Sequence, residues 1–189
     1  MQRRWQQFLA VTLLTTAVAA SAQAQMDKSN PMVGGMAMMA NRDIVDNAVN
    51  SPDHTTLVAA VKAAGLVDAL KAKGPLTVFA PTNAAFGLLP EGTVANLLKP
   101  ENKALLTGVL TYHVVAGRWD AKALMDLIKQ GHGTGVLTTV NGAKLWVMMN
   151  GERNIVVKDG KGTVADISVY DVYQSNGVIL VVDKVLMPA

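Results

Sequence analysis

Side chains able to do chemistry are few and scattered in this sequence. His54, His113 and His132 lie in three different segments, with no spacing that would gather metal ligands. The carboxylates stand singly. Asp166 and Asp171 are near enough in sequence to meet in space, but nothing pairs them as general acid and base. No Gly-x-Ser-x-Gly elbow, His-Glu-x-x-His pair or Walker-type phosphate loop occurs. Asp159-Gly160-Lys161-Gly162-Thr163 resembles a phosphate loop superficially. It lacks the leading glycine, and the strand-like segments on either side make it a hairpin turn. The absence of cysteine removes disulfides, thiol catalysis, thiolate metal sites and a lipid-modified cysteine anchor. Catalysis is therefore disfavoured, and no cofactor or metal is assigned.

Methionine is the one soft ligand present in quantity. Of ten methionines, Met26, Met32, Met36, Met38 and Met39 crowd into residues 25–40, and Trp146, Met148 and Met149 form a second group. Thioether sulfur suits Cu(I). Met148 and Met149, however, fall on opposite sides of one strand, and gap-filling by a flexible hydrophobe accounts for methionine without a metal.

The elements that must position these residues follow from periodicity. Residues 1–24 read as an export signal: Arg3 and Arg4, an uncharged apolar run from Phe8 to Ala20, then Ala22-Gln23-Ala24. That run is too short to span a bilayer, which takes about 20 residues, and no later stretch is long and apolar enough. Loss of the two arginines would take the net charge from +3 to +1, so no nucleic-acid partner is implied. A periplasmic or extracellular location is expected. Residues 25–40, with Pro31 and Gly34-Gly35, show no period and read as a flexible, methionine-rich lead. Residues 41–189 then form one domain, large enough for a core without disulfides.

Residues 41–72 carry apolar residues at helical spacing, with a helix start at Ser51-Pro52-Asp53. Leu76 to Ala80 reads as a strand. Thr82 or Asn83 can cap a helix running through Phe86. Short helices follow after Pro90 and Pro100, a strand over Tyr112 to Val115, and an amphipathic helix over Asp120 to Lys129. The last third is rich in β-branched residues, with strands over residues 136–140, 144–149, 154–158, 163–168 and 178–185. Asn141-Gly142, Asn150-Gly151, Asp159-Gly160 and Asn176-Gly177 separate them. The class is α+β, with helices beside an antiparallel sheet assembly.

Three ordered stretches carry a resemblance: Thr77-Val78-Phe79-Ala80-Pro81-Thr82-Asn83-Ala84-Ala85-Phe86, Leu110-Thr111-Tyr112-His113-Val114-Val115, and Asn176-Gly177 through Asp183 to Leu186. Together they resemble the two homology blocks and central tyrosine–histidine motif of the fasciclin domain family, over about residues 44–187. The lead and domain look like the single-domain, exported bacterial members. The resemblance implies a wedge with a β-sandwich-like core of about seven strands flanked by helices. It also implies adhesion, cell-surface or matrix association through protein contact, without catalysis or an obligatory cofactor.

The motif residues make physical sense apart from the family. Phe79 and Phe86 would lock a turn to the core. Asn83 would satisfy backbone groups at the helix start. His113, within an apolar stretch, reads as a buried neutral imidazole. Asp183, in an apolar strand, must be paired or at an edge. Many family members carry histidine in the last strand where this chain has Leu180, so any role of that histidine does not transfer. Tyr170-Asp171-Val172-Tyr173 precedes the last block, where animal members place cell-binding motifs. Tyr170 and Asp171 are therefore candidates for a partner surface, with core packing of the tyrosines as the alternative. Three functions stand open: an exported interaction module with a protein or cell-surface partner, periplasmic copper handling through methionines, and an unrecognised hydrolase.

Overall fold

A computed structural model describes residues 30–189. The expected export signal, residues 1–24, lies outside the described residues. A short hairpin, β1 (Met32–Val33) and β2 (Met36–Ala37), leads into α1 (Ile44–Val49). A 3-10 turn over Pro52–His54 then runs into α2 (Thr55–Ala64), followed by α3 (Val67–Lys71) and β3 (Leu76–Pro81). Helices α4 (Asn83–Gly87), α5 (Thr93–Leu97) and α6 (Lys103–Tyr112) come next, then β4 (Val114–Ala116) and α7 (Ala121–Gln130). The chain finishes on β5 (Thr134–Thr138), β6 (Lys144–Asn150), β7 (Asn154–Lys158), β8 (Val164–Gln174) and β9 (Gly177–Val182).

Local chemistry sets these boundaries. The side chains of Asp43, Thr82 and Asp120 each accept from a backbone N–H three residues on, capping α1, α4 and α7. Gly65 ends α2 in the left-handed conformation.

Seven strands form one sheet in the order β4-β3-β9-β8-β7-β6-β5. The sheet curls until its two edges nearly meet, where Val115 bridges Thr139. Strands β5 to β9 make an antiparallel meander, as their turn residues imply. One pair differs from the expected antiparallel assembly: β3 and β9 run parallel, Leu76 opposite Gly177 through Pro81 opposite Val182. The partners lie some hundred residues apart, so no turn signal announces the pairing.

Two cores lie on the two faces of that pair. Phe79, Tyr112, Leu124, Leu145, Val157 and Leu180 pack inside the curl, beneath α7. Val78, Ala80, Ile179 and Val181 face the other way, against Leu57, Val61, Phe86 and Leu110 of the helices. Every residue of β9 is buried for this reason, which explains its unbroken apolar run.

Two local expectations are corrected. The described part of the lead is not a loose tether: Val33 and Met38 are buried in the helical core. Asn47 holds Met39 by both backbone groups, at 3.0 and 2.8 Å, and donates to Gln174. Asn30 clasps both backbone groups of Tyr173, at 2.6 and 2.9 Å. The long-range amides doing this carry no periodicity to be read. Second, Tyr112 ends α6 rather than starting a strand, because the apolar run from Val109 to Val115 serves a buried helix end as well as a strand.

Candidate functional site

The family-motif residues converge on the joints of the fold. Thr77, fully buried, donates from Oγ1 to the Gly117 carbonyl at 2.7 Å and accepts from the Trp119 N–H at 2.8 Å, fixing the loop before α7. Phe79 and Phe86 enter different cores, so the Pro81-Thr82-Asn83 turn is anchored on both faces of the sheet. Pro81 closes the parallel pair opposite Val182.

Asn83 does satisfy backbone groups at a helix start, but the helix is α2 and not its own. Its Oδ1 accepts from the Thr56 N–H at 3.0 Å and from Thr55 Oγ1 at 3.2 Å, and its Nδ2 donates to the Pro52 carbonyl at 2.8 Å. The cap of α4 is Thr82, accepting from the Ala85 N–H at 3.2 Å.

Tyr112, His113 and the acid Asp159 form a polar group in the interior. The Tyr112 hydroxyl donates to the Lys144 carbonyl at 2.7 Å and accepts from the Gly160 N–H at 2.8 Å. Burial pushes its ionisation up. His113 donates from Nδ1 to the Val109 carbonyl at 2.8 Å and accepts at Nε2 from the Leu186 N–H at 3.0 Å. Burial drives the imidazole down to about 4, against the Val109 carbonyl and Asp159, which favour its charged form.

Asp159 is buried and accepts from three backbone N–H groups: Lys161 at 3.0 Å, Thr163 at 2.7 Å and Met187 at 2.9 Å. The sequence shows only its turn; nothing in it signals the bond to Met187. A tyrosine, a histidine and a carboxylate in one place invite a catalytic reading. Each polar atom already holds a backbone partner. The group works as a clamp joining α6, the β7–β8 turn and the segment after β9.

The third motif block is built the same way. Asn176 accepts at Oδ1 from the Ile44 N–H at 3.0 Å and donates from Nδ2 to the Leu70 and Ala72 carbonyls. One side chain thus joins the ends of α1 and α3 to the start of β9. Gly177 lets the backbones touch, since a Cβ there would lie 2.1 Å from the Leu76 carbonyl oxygen. Asp183 accepts at Oδ1 from the Asp166 N–H at 2.7 Å, extending the β8–β9 pairing by one side chain. Leu180 is buried inside the curl.

Tyr170 and Asp171 are both engaged internally. The Tyr170 hydroxyl accepts from the Ile155 N–H and donates to Asn154 Oδ1, each at 2.8 Å. Asp171 sits at φ +57°, in the irregular stretch of β8, and its Oδ1 accepts from the Ala121 N–H at 2.7 Å, at the start of α7. Met32 and Met36 fall on opposite faces of their hairpin, paired with Ala37 and Val33. Among the described residues no three histidine, aspartate or glutamate side chains are grouped to hold a metal. No helix among them is long and apolar enough to cross a membrane.

A surface that periodicity alone does not pick out lies on the outer face of β5 to β8. Val136 pairs with Trp146, Trp146 with Lys158, and Lys158 with Val164, giving one row across four strands. Paired residues share a face, and here it is the one opposite the buried Leu137, Leu145, Val157 and Ala165. Val136 is 47% exposed and Val164 38%, with Trp146 half-buried between them.

The chain is 42% identical to Protein sll1483 of Synechocystis sp., over 96% of this chain and 94% of that protein. It is 38% identical to Immunogenic protein MPB70 of Mycobacterium bovis, over 75% of this chain and 66% of that protein. Cell surface glycolipoprotein MPB83 of the same species is 36% identical over 87% and 70%. Among solved structures, a FAS1 domain pair from the insect cell adhesion molecule Fasciclin I shares the fold, with a TM-score of 0.57 at 22% identity. That match covers 69% of this chain and 43% of the longer pair. The fasciclin domain model matches residues 52–188, the span running from the first turn before α2 to the segment held by His113 and Asp159. A motif set engaged in joining α2, α6 and β9, and a family match across those elements, place this chain in the fasciclin domain family.

Proposed function

We propose that this protein is an exported, non-catalytic interaction module that binds a protein or cell-surface component outside the cytoplasm. The observation that carries this reading is the engagement of the motif side chains. The residues that carry the resemblance are consumed by internal hydrogen bonds and packing, so binding must use the rest of the surface. The cell-surface name of the MPB83 relative and the adhesion-molecule origin of the Fasciclin I pair support the same reading.

The outer row Val136, Trp146, Lys158 and Val164 is the contact face we assign. An aromatic anchor with an apolar neighbour on one side, Val136, and a long charged side chain on the other, Lys158, has the composition of a protein-binding patch. The test uses beads coated with the purified protein and cells of the source organism. Trp146→Ala with Val136→Ser should lower cell retention about fivefold, the scale of one lost anchor, with the thermal midpoint little changed. Equal retention by parent and variant would remove this face from the reading. No retention by the parent protein would remove the adhesion reading itself.

A further inference from the structure

A second feature lies away from the outer row and owes nothing to adhesion. Between α1, α2 and the helix-facing side of β3 and β9 is a cavity of about 150 Å³. Val33, Leu57, Val61, Val78 and Ile179 are among the apolar side chains that line it, and His54 lines it with them. The wall reaches the surface at Lys62, Thr111 and Val140, which gives a path in.

His54 is 1% exposed. Its Nδ1 shares a hydrogen bond of 2.8 Å with Ser51 Oγ. Its Nε2 is the one buried side-chain nitrogen or oxygen without a partner among the described residues. The Ala80 carbonyl partly opposes the downward push of burial on the ring, yet lies outside bonding geometry with Nε2. A buried polar atom left unpaired costs about 1–3 kcal/mol. Water is a poor remedy, since a buried water uses about 2–4 polar partners. The other buried polar groups on the wall are already bonded: Ser51 to His54, Thr111 to Thr107 and Gly108, and both His113 nitrogens to backbone, while Lys62 stands at the exposed rim.

We infer that this cavity is a binding site for a small apolar molecule, benzene-sized, carrying one hydroxyl or carbonyl that pairs with His54 Nε2. The size follows from the volume, since a dry apolar cavity of about 150 Å³ takes up benzene. The single polar group follows from the single orphan atom. A ligand hydroxyl suits the ring when Nδ1–H donates to Ser51; a ligand carbonyl suits it when Ser51 donates and the proton sits on Nε2.

Phenol, cyclohexanone and toluene serve as probes on the full chain, read by the methyl resonances of Val61, Val78 and Ile179. Phenol or cyclohexanone should shift these saturably. His54→Phe keeps the ring and removes the nitrogen, so it should cost the oxygenated probe about tenfold in affinity relative to toluene. Val61→Phe obstructs the space and should weaken all three. The inference is overturned if neither oxygenated probe moves those methyls. It is overturned equally if His54→Phe leaves the ratio to toluene unchanged, or if Val61→Phe leaves binding intact. The last outcome stands even if His54→Phe does not fold.

Discussion

His113 Nε2 accepts the backbone N–H of Leu186 at 3.0 Å, so an uncharged imidazole at the end of α6 holds the segment that follows β9. Only the neutral ring can do this while donating from Nδ1 to the Val109 carbonyl.

That bond makes stability depend on pH. Burial lowers the folded-state pKa of His113 from 6.5 to about 4, so between those values the unfolded chain binds more protons than the folded one. The contribution is complete above about pH 6.5 and declines as pH falls toward 4. At 1.36 kcal/mol per unit it amounts to about 3 kcal/mol in all. The buried His54 shifts in the same direction and adds to the slope. Urea midpoints should fall steadily across this window, and His113→Gln should flatten the profile while lowering it. A parent profile that is flat from pH 6.5 to 4 would show that His113 titrates normally.

Asn83→Ala should destabilise the protein by about 2 kcal/mol, and Thr82→Ala by about 1 kcal/mol. Asn83 serves α2 through three bonds, whereas Thr82 caps the short α4 through one. Chemical denaturation of both variants gives the order, and a reversed order would contradict the cross-helix cap.

Two glycines should respond in opposite directions to alanine. Gly177→Ala forces a Cβ to within 2.1 Å of the Leu76 carbonyl oxygen and should prevent folding or cost more than about 3 kcal/mol. Gly108 lies inside α6 with nothing within 4 Å of its would-be Cβ, so Gly108→Ala should stabilise by about 0.5–1 kcal/mol. Thermal midpoints of the pair measure both.

Tyr170→Phe strands the Ile155 N–H and Asn154 and should cost about 1–2 kcal/mol. Retention of cells on beads should stay at the parent level, because the outer row is untouched. Loss of retention at unchanged stability would instead return Tyr170 to the contact surface.

Much of this fold was legible in the sequence because it is locally encoded. Thr82 marks a helix start by capping, the amphipathic helix was read from Asp120, and the Asn-Gly and Asp-Gly pairs mark the meander from β5 to β9. What stayed hidden is long-range. The β3–β9 pairing, the reach of Asn83 to Thr56, of Asp159 to Met187 and of Asn30 to Tyr173 join residues 27 to more than 100 positions apart. Side-chain amides and carboxylates making such links have no period. His54 was noted only as a histidine without ligand spacing; its unpaired nitrogen becomes visible once the cavity beside it has walls.

Strand β9 is the last strand among the described residues, lies between β3 and β8, and is packed on both faces. A growing polypeptide therefore lacks this strand until late. Until residues 177–182 emerge, β3 lacks its parallel neighbour, and each core is missing a wall. Assembly has to wait for contacts of high sequence separation, which slows it.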